Sequence, residues 1–350
     1  MLSRLVVGEA LEPVKWQQLE AQMLADVERA KAFGVTVENV SQTVRQQAVL
    51  LQEIYPAFTQ LCDRLFTDKT DHLETLWTVW LPLARHLVEQ RQAVGRPFVQ
   101  GILGGQGTGK TTLSAVLTLI LQHLGYRTLS WSLDDLYKTY RDRLLLQQQD
   151  PRLIWRGPPG THDVDLGMQV LDQLRQPIPG QSVHIPRFDK SLHNGAGDRV
   201  ALPEEHRVTP ETVENIDIVL FEGWFIGARP IDPIAFDNPP PPITSDADRT
   251  FAQDMNTRLQ DYLPLWKRLD SVIVLYVPDY QLSKQWRKQA EHQMIATGKP
   301  GMTDAEIDAF VEYFWKALHP ELFITPLIQT ADLVIEIQPN HTPGRVRSSL

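Results

Sequence analysis

The sequence contains a single cysteine, Cys62, and no apolar run that approaches the roughly 18 residues of a membrane-spanning helix. One cysteine excludes an internal disulfide and any metal site built from several thiolates, a composition typical of the reducing cytosol. The acidic residues near the N-terminus, such as Glu9, Glu12 and Asp26, fit neither a signal peptide nor a transit peptide. We therefore expect a soluble, cytoplasmic protein without a membrane partner.

Positive charge is also scarce. The 34 Lys and Arg residues are outnumbered by 43 Asp and Glu residues, which gives a formal net charge of −9. This balance argues against a nucleic-acid partner, because nucleic-acid binders present basic surfaces. An anionic substrate would need a local basic pocket, since the overall field of the protein repels it. Neither composition nor charge indicates an oligomeric state.

The chain does contain a glycine-rich stretch between an apolar strand pattern and an apolar helix pattern, Phe98-Val-Gln-Gly-Ile-Leu-Gly-Gly-Gln-Gly-Thr-Gly-Lys-Thr-Thr112. It fits the pattern G-x-x-x-x-G-K-[ST], in which backbone N–H groups surround phosphates, the Lys reaches the β- and γ-phosphates, and the hydroxyl binds Mg²⁺. A chance match is the alternative, but the flanking strand and helix favour function. The predicted nucleotide-binding residues are Gly104, Gly105, Gln106, Gly107, Thr108, Gly109, Lys110, Thr111 and Thr112.

The hydrophobic pattern divides the chain near residue 95. Residues 1–95 show helical periodicity and predict a helical N-terminal domain or layer, for which packing or oligomerisation is the simplest role. Residues 96–350 alternate between strands and helices, which indicates a parallel sheet covered on both faces. The predicted fold is therefore α/β, with five parallel strands at 98–103, 127–133, 217–222, 271–277 and 332–337, and a helical hairpin between the last two.

Acidic residues follow two of these predicted strands, and ligands of open α/β sheets bind beyond the carboxyl ends of the strands. Glu222 ends the third strand, where an acidic group can orient Mg²⁺ or its waters, so Thr111 and Glu222 are the predicted metal ligands. Acidic strand ends also arise as plain turn or helix caps. The presence of the phosphate-binding pattern favours the functional interpretation.

GTPases and motor ATPases share these features, but the chain has no Asn-Lys-x-Asp stretch for reading guanine. Asp134, after the second strand, is placed to accept a proton from a hydroxyl that attacks a γ-phosphate, which favours a kinase of a small alcohol. Asp135 is the alternative candidate for the base. Its other possible role is to cap the helix that follows.

Several stretches resemble the D-glycerate 3-kinase family of plants and cyanobacteria, over about residues 97–340. The family belongs to the group of P-loop kinases that includes phosphoribulokinase, uridine kinase and bacterial pantothenate kinase. The N-terminal helical segment is longer here than in the plant enzymes. The stretches are Ser132-Leu-Asp-Asp-Leu-Tyr137, Trp155-Arg-Gly-Pro-Pro-Gly-Thr-His-Asp163, Pro186-Arg-Phe-Asp-Lys-Ser191, Gly195-x-Gly-Asp-Arg199, Phe221-Glu-Gly-Trp224 and Trp286-Arg-Lys-Gln-Ala-Glu291.

The resemblance implies ATP- and Mg²⁺-dependent transfer of a γ-phosphate to D-glycerate, giving 3-phosphoglycerate. The alternatives are another small-molecule kinase of the group, acting on uridine, pantothenate or a sugar phosphate, and a nucleotide-switched regulatory ATPase. The implied catalytic residues are Asp134, Lys110, Glu222 and Arg287, the last on a lid near residues 280–320. The implied substrate-binding residues are Asp134, Tyr137, Arg156, His162, Asp163, Arg187, Asp189, Lys190 and Arg199, with Arg187, Lys190, Arg199 and His162 as sources of positive charge.

Overall fold

The structure, a computed structural model, describes residues 1–66, 70–200, 211–298 and 301–348. Helices dominate the region before the glycine-rich stretch. A π-helical turn, Leu76–Trp80, joins two of them. Pro82 lies just after this turn and has no N–H to donate to the carbonyl one turn earlier, which favours the wider local geometry. The helices are α1 (Leu2–Val6), α2 (Pro13–Ala25), α3 (Val27–Ala32), α4 (Val40–Leu65), α5 (Leu73–Thr75) and α6 (Leu81–Val94).

Strands and helices alternate from Phe98 onward. The first half contains β1 (Phe98–Gly104), α7 (Lys110–His123), β2 (Thr128–Ser132), α8 (Tyr140–Gln149), α9 (Val164–Arg175), β3 (Val183–Ile185), β4 (Phe188–Asp189), β5 (Asp198–Arg199), β6 (Glu211–Val213) and β7 (Ile218–Gly223). The second half contains α10 (Asp246–Arg258), α11 (Leu263–Trp266), β8 (Ser271–Tyr276), α12 (Leu282–Ala296), α13 (Asp304–Ala317), α14 (Pro320–Phe323), β9 (Leu333–Ile337) and β10 (Pro343–Ser348).

The central sheet has the strand order β10-β9-β8-β1-β7-β2. The pairs of β1 with β7 and β8, of β2 with β7, and of β8 with β9 are all parallel, which confirms the five predicted parallel strands. The sixth strand, β10, was not predicted; it pairs antiparallel with β9 at one edge. Within β10 only Val346 is buried, so its sequence carries little of the apolar signal of a strand.

One face of the sheet packs against the N-terminal helices. Phe98 and Ile102 of β1 share a core with Leu51 of α4, Leu83 of α6 and Val116 of α7. Successive side chains of a strand point to opposite faces, so β1 contributes every second residue to this layer. Full burial of each such side chain contributes about 1.5–3 kcal/mol. The N-terminal helices are therefore attached to the sheet by an extensive apolar contact.

The other face of the sheet is covered by later helices. Val99 and Leu103 of β1 pack in a second core with Phe221 of β7, Leu171 of α9 and Met255 of α10. Both faces of the sheet are thus buried, as continuous apolar strands predict. Across the described residues, no helix has both the length and the apolar character that crossing a membrane requires.

The helical hairpin between β8 and β9 consists of α12 and α13. The second helix begins with a capping box, in which the Thr303 hydroxyl accepts from the Glu306 N–H and the Glu306 carboxylate accepts from the Thr303 N–H. Ion pairs from Lys284 to Glu312 and from Lys288 to Asp308, the latter at 2.9 Å, join the two helices. Both lysines thus pair across the hairpin with carboxylates of the second helix.

Candidate active site

The glycine-rich stretch forms a phosphate loop between β1 and α7. Gly107 and Gly109 adopt φ values of 79° and 84°, which favour glycine because a Cβ disfavours the left-handed region. A Cβ at Gly104 would overlap the Thr108 hydroxyl. The loop ends at Gly109, directly before α7, so the positive end of the α7 dipole faces the loop. The local geometry is that of an anion cradle.

Lys110, the first residue of α7, turns back into the loop. Its Nζ atom donates to the Gly105 carbonyl at 2.9 Å, and the Thr108 hydroxyl donates to the same oxygen at 2.9 Å. Burial lowers the pKa of Lys110, whereas the charges of Glu222 and Asp134 oppose that shift. The lysine predicted to reach the phosphates therefore lies within the electrostatic field of both predicted carboxylates.

Glu222 lies at the end of β7, between β1 and β2, where its backbone is in register with Ile102 and Ser132. Burial raises the pKa of its carboxyl, and the negative charge of Asp134 raises it further, against the opposing effect of Lys110. The Ser132 side chain hydrogen bonds to Glu222 and favours the ionised form. Burial and Lys110 thus act on the Glu222 pKa in opposite directions, and a further cation nearby would favour the ionised carboxylate.

Asp134 lies in a 3₁₀ turn, Leu133–Leu136, which follows β2. Lys190 Nζ approaches one of its oxygens at 2.6 Å, and the Tyr137 hydroxyl donates to the other at 2.8 Å. Burial alone would raise the pKa of Asp134, but Lys190 and Tyr137 outweigh it and hold the pKa below its usual value. Asp134 is thus ionised at neutral pH, as a proton acceptor must be.

Asp135 has a different environment. Its carboxylate accepts from the backbone N–H groups of Ser132 and Phe188, at 3.3 and 3.1 Å, and from the Arg187 guanidinium at 2.9 Å. Burial raises the pKa of Asp135, and Arg187 opposes that shift. Asp135 completes a capping box with Ser132, which agrees with the capping role that the sequence left open.

His162 is buried at 2% exposure, and its ring stacks on Tyr137. The Tyr262 hydroxyl accepts from the Gly160 N–H at 2.9 Å and lies within hydrogen-bond distance of His162 Nδ1, at 2.8 Å. His162 Nε2 is buried without a hydrogen-bond partner in the described part of the chain. Burial lowers the pKa of His162 to about 3, so the ring is neutral and cannot supply the positive charge expected of it.

The remaining predicted cations lie around the segment that carries Lys190. Arg156 lies over the rings of Tyr137 and Phe188 and donates to the carbonyls of Gly195 and Ala196. Arg187 also donates to the Ser130 carbonyl, at 3.2 and 3.3 Å. These bonds hold the residue 186–200 segment against the carboxyl end of β2.

The predicted polar contacts Asp163, Asp189 and Arg199 are engaged with the protein itself. Asp163 caps α9 by accepting from the Leu166 N–H at 3.1 Å, and it pairs with Arg199 at 3.0 Å. Asp189 is buried and accepts from the N–H and hydroxyl of Ser191. These contacts join segments of the protein near Asp134 and are structural.

Arg287 lies on α12, where it pairs with Glu291 at 3.0 Å and lies over the Phe310 ring of α13. The α12 residue that packs against the phosphate loop is its neighbour Trp286, which a Cβ on Gly107 would meet at 2.8 Å. The Trp286 indole also donates to the Pro339 carbonyl at 3.1 Å. Sequence reasoning missed Trp286, although it opens the Trp286-Arg-Lys-Gln-Ala-Glu291 stretch.

No protein-family model matches the sequence. The chain is 32% identical over 244 residues to "Uncharacterized kinase mug58" of Schizosaccharomyces pombe, covering 66% of this chain and 83% of that protein. It is 31% identical over 235 residues to "D-glycerate 3-kinase, chloroplastic" of Arabidopsis thaliana, covering 65% of this chain and 49% of the plant protein. The match thus spans about half the length of the plant protein.

The structure is similar to that of a D-glycerate 3-kinase from Cryptococcus neoformans, with a TM-score of 0.67 and 28% sequence identity. The similarity covers 77% of this chain and 98% of the other. The chain belongs to the family of P-loop kinases that contains these proteins, the D-glycerate 3-kinases among them.

Proposed function

We propose that the protein is a D-glycerate 3-kinase, which transfers the γ-phosphate of ATP to D-glycerate and releases ADP and 3-phosphoglycerate. The observation that carries the proposal is Asp134, an ionised carboxylate next to the lysine of the phosphate loop. A switch ATPase has no need of a base for an alcohol. The family membership supports the same choice of reaction, since the similar proteins of Arabidopsis and Cryptococcus are named D-glycerate 3-kinases.

In this proposal the phosphate loop binds the triphosphate through backbone N–H groups, the α7 N-terminus and the Lys110 ammonium. Asp134 orients the attacking hydroxyl and accepts its proton as the new O–P bond forms and the bond to ADP breaks. Tyr137 and Lys190 keep the Asp134 carboxylate charged and in place. In this assignment Lys110 acts on the phosphate oxygens, and Asp134 acts on the attacking hydroxyl.

Mg²⁺ is the metal that the family implies. The donor set fits it, because a Thr hydroxyl and a carboxylate are hard oxygen ligands and Mg²⁺ takes one or two carboxylates together with phosphate oxygens. Thr111 and Glu222 would hold it, and a cation bound there would favour the ionised form of Glu222 against the effect of burial. Mg²⁺ bound there would neutralise charge on the β- and γ-phosphates.

For the glycerate carboxylate we propose Lys190 and Arg156, whose side chains border Asp134 and Tyr137. His162 is assigned to a hydroxyl, since Nε2 of the neutral ring has no partner among the described residues and a hydroxyl can either donate to it or accept from it. The other predicted contacts, Arg187, Asp189, Asp163 and Arg199, would position the segment that carries Lys190.

We further propose that α12 and α13 form the lid, with Arg287 delivered to the phosphates as it closes. A lid limits hydrolysis of ATP by water. Closure would require Arg287 to exchange Glu291 for a phosphate oxygen. The N-terminal helices, residues 1–95, are proposed as a layer attached to the kinase fold of residues 96–350.

The test is a coupled assay of ADP release with D-glycerate, L-glycerate, uridine, pantothenate and ribulose 5-phosphate as acceptors. We expect ADP release to depend on D-glycerate, with 3-phosphoglycerate formed in equal amount. Dependence on another acceptor would reassign the substrate. Slow turnover that is indifferent to every acceptor would favour the regulatory ATPase instead.

A further inference from the structure

A cavity of about 270 Å³ lies beside the phosphate loop, lined by Gly109 and Thr112 together with Leu275 of β8 and Ile335 of β9. In the sheet, β8 and β9 lie on one side of β1, whereas β7 and β2, which lead to Glu222 and Asp134, lie on the other. The cavity is therefore separated from the proposed transfer site by the loop itself.

The direction of a bound nucleotide follows from this arrangement. Lys110 experiences the charges of Glu222 and Asp134, so the reacting end of a triphosphate held by Lys110 lies on the β7 and β2 side. The nucleoside must then leave the loop on the opposite side, past Gly109 and Thr112. Both residues border the cavity.

The walls of the cavity suit a planar ring. Phe66, at the end of α4, and His72, just before α5, stack with ring centres 3.9 Å apart, and Trp80 lies 6.1 Å from His72. Across the cavity lies His341, whose Nδ1 lies 3.1 Å from the Gly107 carbonyl and must donate to it. Aromatic walls of this kind stack favourably on a base.

We propose that the N-terminal helices complete the nucleoside site, with the base of the bound nucleotide held between the Phe66 and His72 pair and the turn after β9. The inference rests on the proposed function, because it requires a nucleotide at the phosphate loop. It gives the N-terminal layer a role beyond packing: the layer contributes to nucleotide affinity and base preference. The kinase fold without this layer would hold the phosphates but lack one wall of the base pocket.

The test compares ADP with inorganic tripolyphosphate, which can engage the loop but has no base, by isothermal titration calorimetry. Phe66→Ala is expected to weaken ADP binding about tenfold and to leave tripolyphosphate binding unchanged, since stacking on one aromatic ring is lost. The matched control is Phe33→Ala, because Phe33 is a half-buried aromatic of the same layer that does not line this cavity. The control should bind both ligands as the unaltered protein does.

A second variant, Thr75→Trp, fills the cavity instead of enlarging it and should produce the same selective loss of ADP binding. Thr325→Trp narrows the neighbouring cavity from a residue outside α12 and α13 and should not. Unchanged ADP affinity in both Phe66→Ala and Thr75→Trp, equal losses for the two ligands, or an ADP loss confined to Thr325→Trp would overturn the proposal. Failure of the unaltered protein to bind either ligand would overturn the proposed function, and this inference with it.

Discussion

The two sides of β1 differ in chemistry. On the β7 and β2 side, Glu222, Asp134 and Lys190 form a charged cluster around Lys110. On the β8 and β9 side, the loop borders a cavity with aromatic walls, including Trp80. The phosphate loop thus divides a region suited to moving charge from a region suited to recognising a flat ring.

The charged side also shows how neighbouring groups shift the pKa values of two carboxyls in opposite directions. A buried charge is unfavourable unless it is paired, and Asp134 is paired with Lys190 whereas Glu222 depends on the more distant Lys110. The pKa of Asp134 is therefore lowered while that of Glu222 is raised. A base and a prospective metal ligand are distinguished by their neighbours and not by their own chemistry.

The largest expected effect comes from removing Lys110, the cation of the phosphate loop that lies between the two regions. Lys110→Ala should lower kcat/KM for the kinase reaction at least about 10³-fold, because it removes the charge on the β- and γ-phosphates in the transition state. The fold should be retained, which circular dichroism and the melting temperature would report. Activity like that of the unaltered protein would contradict the phosphate-loop assignment.

The next effect separates the two adjacent carboxylates. Asp134→Asn keeps the shape but removes the proton acceptor, and we expect kcat to fall about 10²-fold, toward the low end for general-base loss because phosphoryl transfer has a loose transition state. ADP should still bind with its usual affinity, since the loop is unchanged. Measurements of kcat and of the ADP dissociation constant check both expectations.

Asp135→Asn is the matched control for that prediction. It removes the charge that pairs with Arg187, so it should lower the free energy of unfolding by about 1–3 kcal/mol while kcat changes less than for Asp134→Asn. Thermal and denaturant unfolding would measure the loss of stability. A larger kcat loss for Asp135→Asn than for Asp134→Asn would mean that Asp135 is the base.

The sequence alone predicted the parts of this site that are formed by contiguous stretches of the chain. The phosphate loop is a contiguous pattern, and the five parallel strands are continuous apolar runs, so both were predicted with their positions. Glu222 and Asp134 could be placed on one edge because parallel strands end together. These inferences need only chain order and elementary sheet geometry.

The parts that sequence could not supply depend on contacts between distant segments. Lys190 and Asp134 are 56 positions apart, so neither their ion pair nor its effect on the Asp134 pKa can be derived from spacing. The neutral state of His162 follows from its burial against Tyr137 and Tyr262, which no motif reports. The cavity beside the loop combines α4, α7 and β9, three elements remote in sequence.

The smallest expected effect concerns Lys190, whose side chain is 60% exposed. Its ammonium pairs with Asp134 and lowers the pKa of that carboxyl. The pKa of Asp134 is lowered in the folded protein, and the base works when ionised, so kcat falls as the pH drops through that lowered pKa. Lys190→Met removes the cation and leaves burial, which raises the pKa. The acid limb of the kcat profile should therefore move to higher pH.

The pKa of Glu222 should also rise in Lys190→Met, because Lys190 lowers it in the unaltered protein. The double variant Lys190→Met with Asp134→Asn has no Asp134 carboxylate, so a remaining shift in its kcat profile would belong to Glu222. At pH 8, where Asp134 is ionised in either protein, kcat should change by less than about tenfold, since an exposed ion pair contributes about 1 kcal/mol or less. Lys267→Met, which removes an exposed lysine whose side chain forms no ion pair or hydrogen bond within the described part of the chain, controls for the change in net charge. An acid limb that stays in place in Lys190→Met, or moves equally in Lys267→Met, would show that the contact between Lys190 and Asp134 does not set the ionisation of the base.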